Sequence, residues 1–388
     1  MLSWSFRPDS WSFDVSSLIV LIGEREELSY RLSQRSLLAC LSAAPVIGLQ
    51  SYIRSYDLLL ETGPKSYFTP YGCNTAPLRN MRLQSAMDVG KLLADGRYTV
   101  YAIPPAPSDP PARRRRRYPV YTILLSLWVA LTWLVVGLMT AVFLAGSHAT
   151  TWVGFVNCLV LSAWSVVLRV LEHFLIRPAP RTATSNPAEW DAIFILGRRQ
   201  SAFVLEGSRQ DVKDWTGRGL AYARESTSPV PAALCQACTR LVTFLVLALV
   251  FTTVPNGSTA DRVAFVLLNG LGQLNVLIGR RLGSWACLDG LQPQPESSRS
   301  VAGRTEIYGL LLRRFRHVGR GDGAWVDVSA MLPRTDAWEE WKRRILAGDT
   351  DSPRQIYQDV YRRLNGHWRP VESPSLPDAG SCSDAGSK

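Results

Sequence analysis

Arg169, Glu172 and His173 have residue types and a spacing that could support proton chemistry. On a helix, the glutamate and the histidine lie three and four positions after the arginine, so all three share one face. Ionisable groups at membrane depth usually face a bundle interior or an aqueous cavity. This arrangement predicts that His173 shuttles protons while Glu172 fixes its tautomer. The alternative is that the apolar segment ends at Leu168 and the three side chains anchor the helix among lipid headgroups.

Arg240 is a second candidate because it precedes a strongly apolar segment. If the helix begins near Ala232, Arg240 lies about 12 Å along it, at 1.5 Å per residue. The side chain would either extend to the headgroup layer or meet an anionic ligand or Glu172. Glu172, His173 and Arg240 are therefore the candidates for catalysis or transport, with no reaction assigned to them.

Cys235 and Cys238 have the C-x-x-C spacing of a metal-ligand pair. A structural zinc site needs four ligands, and neither a second pair nor a nearby histidine accompanies them, so the sequence predicts no metal site. These two thiols and Cys287 fall near the predicted cytosolic membrane face. They are therefore candidates for S-palmitoylation.

His317 and Asp322 match the H-x4-D spacing of membrane glycerolipid acyltransferases, in which the histidine deprotonates an acceptor hydroxyl. The phosphate-binding block of those enzymes does not follow, so the match is interpreted as chance. The sequence also contains no Walker loop, nucleophile elbow, zincin helix or dinucleotide fingerprint. It therefore predicts no cofactor and favours a non-enzymatic role.

Four long apolar segments predict a membrane protein. A bilayer core about 30 Å thick needs roughly 20 apolar residues of helix. The segments that approach or exceed this length are residues 118–147, 149–168 with a continuation to 176, 232–254 and 263–279. The predicted fold class is a membrane α-helical protein with two transmembrane helical hairpins, residues 118–176 and 231–281, and with α+β cytosolic segments.

Arginines at the ends of these segments orient them by the positive-inside rule. The arginines that lie at one predicted face are Arg113, Arg114, Arg115, Arg116, Arg117, Arg177, Arg181, Arg224, Arg280 and Arg281. Both chain termini are therefore predicted in the cytosol. The block 113–117 is expected to bind anionic lipid headgroups, so the bilayer, and not nucleic acid, is the predicted partner for the net charge of +11.

Asn256-Gly257-Ser258 is an N-glycosylation sequon in a predicted lumenal turn. The alternative is a chance match, because so short a turn keeps Asn256 close to the membrane. Residues 1–16 are polar and aromatic and do not have the pattern of a secretory signal. The internal helices are expected to direct the chain to an endomembrane.

Residues 36–53 form an uncharged segment that contains Pro45 and Gln50. Its length favours a buried or interfacial segment, and the alternative is a fifth span that would place the N-terminus in the lumen. Elsewhere, the small-residue stripe of Gly137, Ala141 and Ala145 predicts close helix packing and permits a homodimer. Asn269 and Gln273, one turn apart, predict polar cross-links between spans.

Residues 1–112 are predicted to be an N-terminal cytosolic α+β segment. Residues 80–94 have the pattern of a helix and residues 99–103 that of a strand. A stiff Pro-rich linker follows and leads to the arginine block. At the other end of the chain, the Pro-, Ser- and Gly-rich tail 370–388 is predicted to be disordered.

The loop 177–230 is predicted to hold a β-hairpin of residues 191–196 and 201–205, with Ser208 capping a short helix that follows. The C-terminal region 282–369 is predicted to be helical. The helices that its apolar spacing and capping residues indicate are residues 305–315, 336–346 and 353–364.

The segment WDAIFILGRRQSAFVLEGSRQDVKDWTGRGL, residues 190–220, resembles a pattern in uncharacterised multi-span membrane proteins of filamentous fungi. The similarity extends to residues 304–308 and 325–341, and covers about a quarter of the chain. The resemblance implies a fungal endomembrane protein and an accessory role in specialised metabolism. It implies no activity and no catalytic residues.

The predicted function is that of a non-enzymatic membrane scaffold or adaptor. Two compact hairpins with few intramembrane ionisable residues would carry cytosolic segments that bind protein partners. The alternative is a membrane-embedded enzyme or carrier for a lipophilic small molecule, which would use Glu172, His173 and Arg240. The two hypotheses differ in whether His173 is needed for function.

Overall fold

A computed structural model describes residues 23–33, 36–53, 57–60, 63, 65–105, 119–145, 152–198, 200–223, 231–295, 299–318 and 323–365. The predicted features that lie outside the described residues are the arginine block 113–117, Arg224, Asp322 and the tail 370–388. The chain divides into two compact units, Met1–Ala302 and Gly303–Lys388. Each unit is described by itself below.

Helices make up most of the described structure. They are α1 (Glu24–Ser33), α2 (Leu37–Cys40), α3 (Gln50–Ile53), α4 (Asp57–Leu60), α5 (Met81–Val89), α6 (Pro119–Leu144), α7 (Trp152–Leu175), α8 (Arg209–Gly217), α9 (Ala232–Thr253), α10 (Thr259–Leu288), α11 (Arg304–Arg314), α12 (Ala324–Ser329), α13 (Asp336–Leu346) and α14 (Pro353–Asn365).

Short strands lie between the helices of the first unit. They are β1 (Ser66–Thr69), β2 (Asn74–Pro77), β3 (Arg97–Ala102), β4 (Ile176–Pro178), β5 (Trp190–Leu196), β6 (Ser201–Ser208), β7 (Leu220–Tyr222), β8 (Gln292–Pro293) and β9 (Arg299–Ser300).

Four helices, α6, α7, α9 and α10, are long and apolar enough to cross a membrane. Large apolar side chains project outward from them, including Leu127, 62% exposed, and Leu134, 67% exposed. Such a continuous apolar surface fits lipid contact and not water. The prediction of four apolar helices of spanning length is confirmed. The last helix continues past its predicted end at residue 279 to Leu288, because Arg280 and Arg281 do not interrupt it.

The two ends of this four-helix bundle differ. At one end, the backbone N–H of Gly154 donates to Asp261 Oδ1 over 3.1 Å, and the chain passes from α9 to α10 through a short turn. At the other end, α7 runs directly into β4, which pairs with β7, and α10 is followed by β8. We call these the turn end and the sheet end.

Residues 36–53 form a re-entrant segment that enters the bundle from the sheet end. Two short helices, α2 and α3, flank an irregular stretch whose side chains are buried, including Ala43, Ala44, Val46 and Ile47. Counted at 1.5 Å per residue along the helices that it touches, the segment reaches about 15–24 Å from their sheet ends. The prediction of a buried segment is confirmed, and the alternative of a fifth spanning helix is wrong because the helix is interrupted at residues 41–49.

Gly48 makes the sharp return of the re-entrant segment. Its φ is +61°, in the left-handed region that favours glycine. A Cβ at this position would lie 2.5 Å from Glu24 Cα, so the turn also packs directly against the backbone of α1. The return of the segment and the position of α1 are therefore coupled.

A mixed sheet lies at the sheet end of the bundle. Within the described residues its strand order is β2-β1-β5-β6-β3-β8, with β9 also pairing β3. The predicted hairpin is confirmed as β5 and β6, and Ser208 caps α8 by accepting from Asp211 N. The strand β3 pairs in parallel with β6, so the N-terminal segment and the loop 177–230 share one sheet.

One face of this sheet is covered by helices. Ile193, Ile195, Phe203 and Leu205 pack with residues of α5 and α8, in one apolar core. The helix α5 also contacts the end of α10, where Ser284 Oγ donates to the carbonyl oxygen of Ala86 over 3.2 Å. The sheet is therefore attached to the bundle by side-chain contacts as well as by chain connections.

The second unit is a helical domain, and its three predicted helices are confirmed as α11, α13 and α14. Trp341 lies fully buried and donates from Nε1 to the carbonyl oxygen of Pro353 over 2.7 Å. Burial by itself would lower the pKa of Lys342, but hydrogen bonds to Asp327 and Glu339 outweigh that effect and raise it. These contacts hold α13 against α12 and α14.

Candidate functional site

The main concentration of buried charge lies where α1 and α7 approach the re-entrant segment. It consists of Glu27 and Arg31 from α1, with Arg169 and Glu172 from α7, and all four are buried. We call these residues the buried polar cluster. Two arginines and two glutamates balance each other formally, which is the condition for keeping charges in a low-dielectric interior.

Arg31 and Glu172 form the closest ion pair of the cluster. Arg31 Nε donates to Glu172 Oε2 over 2.6 Å, and the side chains are 2% and 7% exposed. Arg31 also donates from Nη1 to Ser51 Oγ over 3.2 Å, and its guanidinium lies 3.8 Å from the centre of the Tyr52 ring. One arginine therefore joins α1, α7 and α3.

Arg169 binds the backbone of the re-entrant segment. Its Nη1 donates to the carbonyl oxygens of Ser42, over 3.2 Å, and Ala44, over 2.8 Å. Its Nη2 lies 3.9 Å from Glu27 Oε1. Because a buried irregular backbone leaves carbonyl groups without regular partners, a buried cation with several donors stabilises this conformation.

Side chains from the spans bind the amide groups of the same segment. The N–H of Ala43 donates to Thr132 Oγ1 over 3.2 Å, and the N–H of Val46 donates to Ser165 Oγ over 2.7 Å. Asn275 Oδ1 accepts from Ser42 Oγ over 3.0 Å. The irregular backbone is thus hydrogen-bonded by α6 and α7, and α10 binds the hydroxyl of Ser42, so these buried polar groups have partners within the protein.

The cavity beside the cluster is small. It has a volume of about 20 Å³ and is lined by residues that include Tyr30, Cys40, Arg169, Glu172 and His173. A buried site needs about 10–15 Å³ for one water molecule. The space therefore fits a single water, and the geometry supports a structural lock and not a substrate-binding pocket.

Comparison with protein-family models, with curated proteins and with solved structures returns no match. The role of the cluster therefore rests on its own geometry. Among the residues that the structure describes, no three His, Cys, Asp or Glu side chains are close enough together to hold a metal ion.

The structure brings together only two of the three residues predicted as candidates for catalysis or transport. Glu172 is buried in the cluster, and His173 is half-buried beside it, with its ring 5.6 Å from that of Phe174. Arg240 is exposed on α9 and does not join them. The interpretation of Arg169 and Glu172 as headgroup anchors is wrong, because the helix continues to Leu175 and both side chains face the protein interior.

Sequence reasoning missed Glu27 and Arg31, which supply half of the cluster's charge. They lie in a ten-residue helix rich in charge, which on its own has the pattern of a solvated surface helix. The signal available in the sequence was the complementary order of charges on α1 and α7. Glu27 and Arg31 are four residues apart, and Arg169 and Glu172 are three apart with the charges in the opposite order, so the two helices present matching pairs.

Two predicted packing features differ from the structure. Gly137 has open space around the position of a Cβ, and Ala141 and Ala145 are exposed, so the stripe does not pack within this chain. A homodimer through that stripe stays a prediction. The polar cross-link of the fourth span is made by Asn275, which accepts from Trp128 Nε1 over 2.8 Å, whereas Gln273 is exposed.

The remaining candidates lie apart from the cluster. Asn256 is exposed at the turn end, and its Nδ2 donates to the carbonyl oxygen of Thr252 over 2.6 Å. His317 is exposed in the second unit, next to Arg316. Its predicted partner Asp322 lies outside the described residues, so the H-x4-D match stays untested.

The three candidate thiols for acylation have different exposure. Cys238 is exposed, Cys235 is partly buried and Cys287 is 3% exposed. Because acyl transfer requires access to the sulfur, we expect Cys238→Ser to remove most acyl-exchange labelling and Cys287→Ser to leave it unchanged. The measurement is acyl-exchange labelling of the purified chain. Equal loss in the two variants would contradict the assignment to Cys238.

Proposed function

We propose that this protein is a non-enzymatic membrane scaffold, in which the helix bundle holds a folded platform at one membrane face. The platform is the mixed sheet with α5 and α8. The observation that carries the proposal is the buried polar cluster, in which Arg31 binds Glu172 and Arg169 binds the re-entrant backbone, next to a cavity of about 20 Å³. A lock of this kind supports rigidity, and the volume beside the cluster is too small for a substrate.

The one-sided architecture supports the same function. In the first unit, the described sheets and the helices α5 and α8 lie at the sheet end, while the residues described at the turn end form a short connection between α9 and α10. A rigid bundle that carries its folded surface at one end suits the positioning of partners. The partners proposed for this surface are cytosolic proteins.

The proposed orientation places the sheet end in the cytosol of an endomembrane, with both termini on that side. Arg177, Arg181 and Arg280 lie at this end, and the turn end has only Arg262 near it among the described residues. This distribution follows the positive-inside rule. Asn256 would then lie on the lumenal side.

A rescue experiment separates the scaffold from an enzyme or carrier. Arg31→Met with Glu172→Leu removes the ion pair but keeps charge balance and side-chain volume, and His173→Ala removes the half-buried imidazole. We expect both variants to restore the metabolite and lipid profile of a deletion strain, because a scaffold needs the fold and not these ionisable groups.

The readout is an untargeted metabolite and lipid comparison at matched protein levels, together with proximity labelling of neighbouring proteins. Arg334→Gln, an exposed change in the second unit and outside the platform, is the control for handling and expression. If a variant is present at normal levels but fails to rescue and a compound accumulates, the scaffold proposal is contradicted. Chemistry would then be assigned to the cluster. An unchanged set of labelled neighbours in the rescued strains supports it.

A further inference from the structure

A second cavity, of about 300 Å³, lies at the sheet end of the bundle and is separate from the buried polar cluster. Its walls come from five places: the end of α1, the start of α5, the end of α8, the strands β4 and β7, and the last turn of α10. The volume is at the lower limit of small-molecule sites, which are roughly 300–1,000 Å³. It therefore suits a headgroup-sized ligand.

The polar part of this cavity is strongly basic. Four arginines line it, Arg79, Arg82, Arg181 and Arg218, against one carboxylate, that of Asp214. Arg181 Nε lies 3.1 Å from Asp214 Oδ2, so this carboxylate offsets only one of the four cations. An excess of guanidinium groups around a cavity is the usual arrangement for binding phosphate, because the planar donor fork matches phosphate oxygens.

Two of the arginines are positioned to bind a ligand. Arg79 is exposed at the cavity mouth, and Arg82 is half-buried, with an Nε atom that is buried and has no hydrogen-bond partner among the described residues. A buried donor of this kind favours an acceptor that the cavity would receive.

The start of α5 adds to the positive potential. Asn80 caps this nine-residue helix by accepting from the N–H of Leu83 over 3.2 Å, and its Nδ2 donates to the carbonyl oxygen of Trp215 over 2.9 Å. The N-terminus of α5, where the helix dipole is positive, is thereby held against the cavity wall. The positive end of the helix and the guanidinium groups both raise the electrostatic potential inside the cavity.

The other wall of the cavity is apolar and adjoins the candidate spans. Leu32, Leu220 and Ala286 line it, and Ala286 lies in the last turn of α10. A 30-residue helix is about 45 Å long, whereas the hydrocarbon core is about 30 Å thick. The last turns of α10 therefore extend beyond the hydrocarbon, into the layer where lipid headgroups lie.

We propose that this cavity binds the phosphate-bearing headgroup of an anionic lipid, with Arg79 and Arg82 contacting the phosphate. The lipid is favoured over a soluble phosphate compound because the basic wall faces an apolar wall at headgroup depth. This site is distinct from the arginine block 113–117, which would act by charge alone. The inference does not rest on the scaffold function, since an enzyme or carrier of the same fold would have the same cavity.

The test measures binding to the full-length protein purified in zwitterionic detergent. The probe is dioctanoyl phosphatidylinositol 4-phosphate, and the comparison ligands are dioctanoyl phosphatidylcholine, inositol 1,4-bisphosphate and inorganic phosphate. We expect the phosphorylated lipid to bind and Arg82→Gln to weaken it on the order of tenfold, which is the loss of one charge-assisted hydrogen bond. Arg79→Gln, at an exposed site, is expected to weaken it severalfold.

Two controls test whether lipid binding depends only on the net charge of the protein. Arg97→Gln removes the same charge outside the cavity and is expected to leave the affinity unchanged. Replacing residues 113–117 by glutamine is expected to leave the ratio between wild type and Arg82→Gln intact.

Equal affinity in wild type and in Arg79→Gln and Arg82→Gln would overturn the proposal, as would the absence of binding to the wild type. Binding of inositol 1,4-bisphosphate as tight as that of the lipid would overturn the assignment to a lipid. A failed rescue experiment leaves all of these outcomes unaffected, so the two proposals fail independently.

Discussion

Glu172→Leu alone is expected to destabilise the folded protein by about 3–5 kcal/mol, the usual effect of removing one partner from a buried ion pair. Glu172 accepts from Arg31, and both side chains are buried. After the substitution, the Arg31 guanidinium would keep its bond to Ser51 but lose its counter-charge. Leucine does not restore that charge, and the cavity of about 20 Å³ holds too little water to solvate a cation.

The double variant Arg31→Met with Glu172→Leu is expected to recover most of this loss. Both charges then leave together, Glu27 and Arg169 still balance each other, and methionine fills the space over Tyr52. Exchange of a buried pair for apolar residues of similar volume is often neutral or stabilising. The second substitution therefore improves stability in the presence of the first, which is the signature of a coupled pair.

The measurement is the thermal midpoint of the detergent-purified protein, which is monitored as the loss of the monodisperse species on heating. Glu172→Leu is expected to lower the midpoint on the order of 10 °C, and the double variant to return most of it. Arg240→Met is the matched control, because it removes an exposed arginine from another span. If the double variant is no more stable than Glu172→Leu alone, the ion pair does not have the role assigned to it.

The features that the sequence predicts well are those carried by local patterns. The four long helices follow from the length of uncharged segments, and Arg280 and Arg281 displace only the end of one of them. The hairpin of β5 and β6 follows from two β-rich segments with a short connection. Each of these depends on residues within about 30 positions of each other along the chain.

The parts that the sequence does not reveal depend on distant partners. Arg31 and Glu172 are 141 residues apart, and charged residues on a short helix are usually solvated. The irregular backbone near Ser42 is stable only because Thr132, Ser165 and Arg169 bind it, and no property of residues 36–53 alone identifies those partners. The parallel pairing of β3 with β6 likewise joins segments that α6 and α7 separate along the chain.

The buried polar cluster connects these distant parts into one body. Arg31 joins α1 to α7, and Arg169 joins α7 to the re-entrant segment. The far end of α1 contributes Leu32 to the basic cavity at the sheet end. A rearrangement of the cluster would therefore reach the cavity wall through α1, which gives the proposed headgroup site a rigid support.

Gly272→Ala is expected to move the re-entrant segment away from α10 and to lower the free energy of unfolding by about 1–3 kcal/mol. This is the usual range for overpacking in a filled core. A Cβ at this position would lie 2.6 Å from the carbonyl oxygen of Pro45 and 2.8 Å from Ile47 Cγ2. The first contact is with backbone that other hydrogen bonds hold in place, so it has little freedom to move. This strain outweighs the helix propensity that alanine adds, which is about 1 kcal/mol.

Gly270, two residues earlier on the same helix, provides the matched control. A Cβ there meets nothing within 4 Å, so Gly270→Ala gains helix propensity without strain. The readout is the rate at which a maleimide labels Cys40, in chains whose other cysteines are replaced by serine. Cys40 lies at the end of α2, where the segment enters the bundle, and is partly buried.

Gly272→Ala is expected to raise the Cys40 labelling rate severalfold and to lower the thermal midpoint, whereas Gly270→Ala is expected to leave the labelling rate unchanged. A loss of stability without faster labelling would indicate that α10 yields and the re-entrant segment does not. Equal labelling in the two glycine variants and the parent would show that the segment does not depend on the close approach at Gly272. In that case the hydrogen bonds from Arg169, Thr132 and Ser165 hold the segment without help from this packing contact.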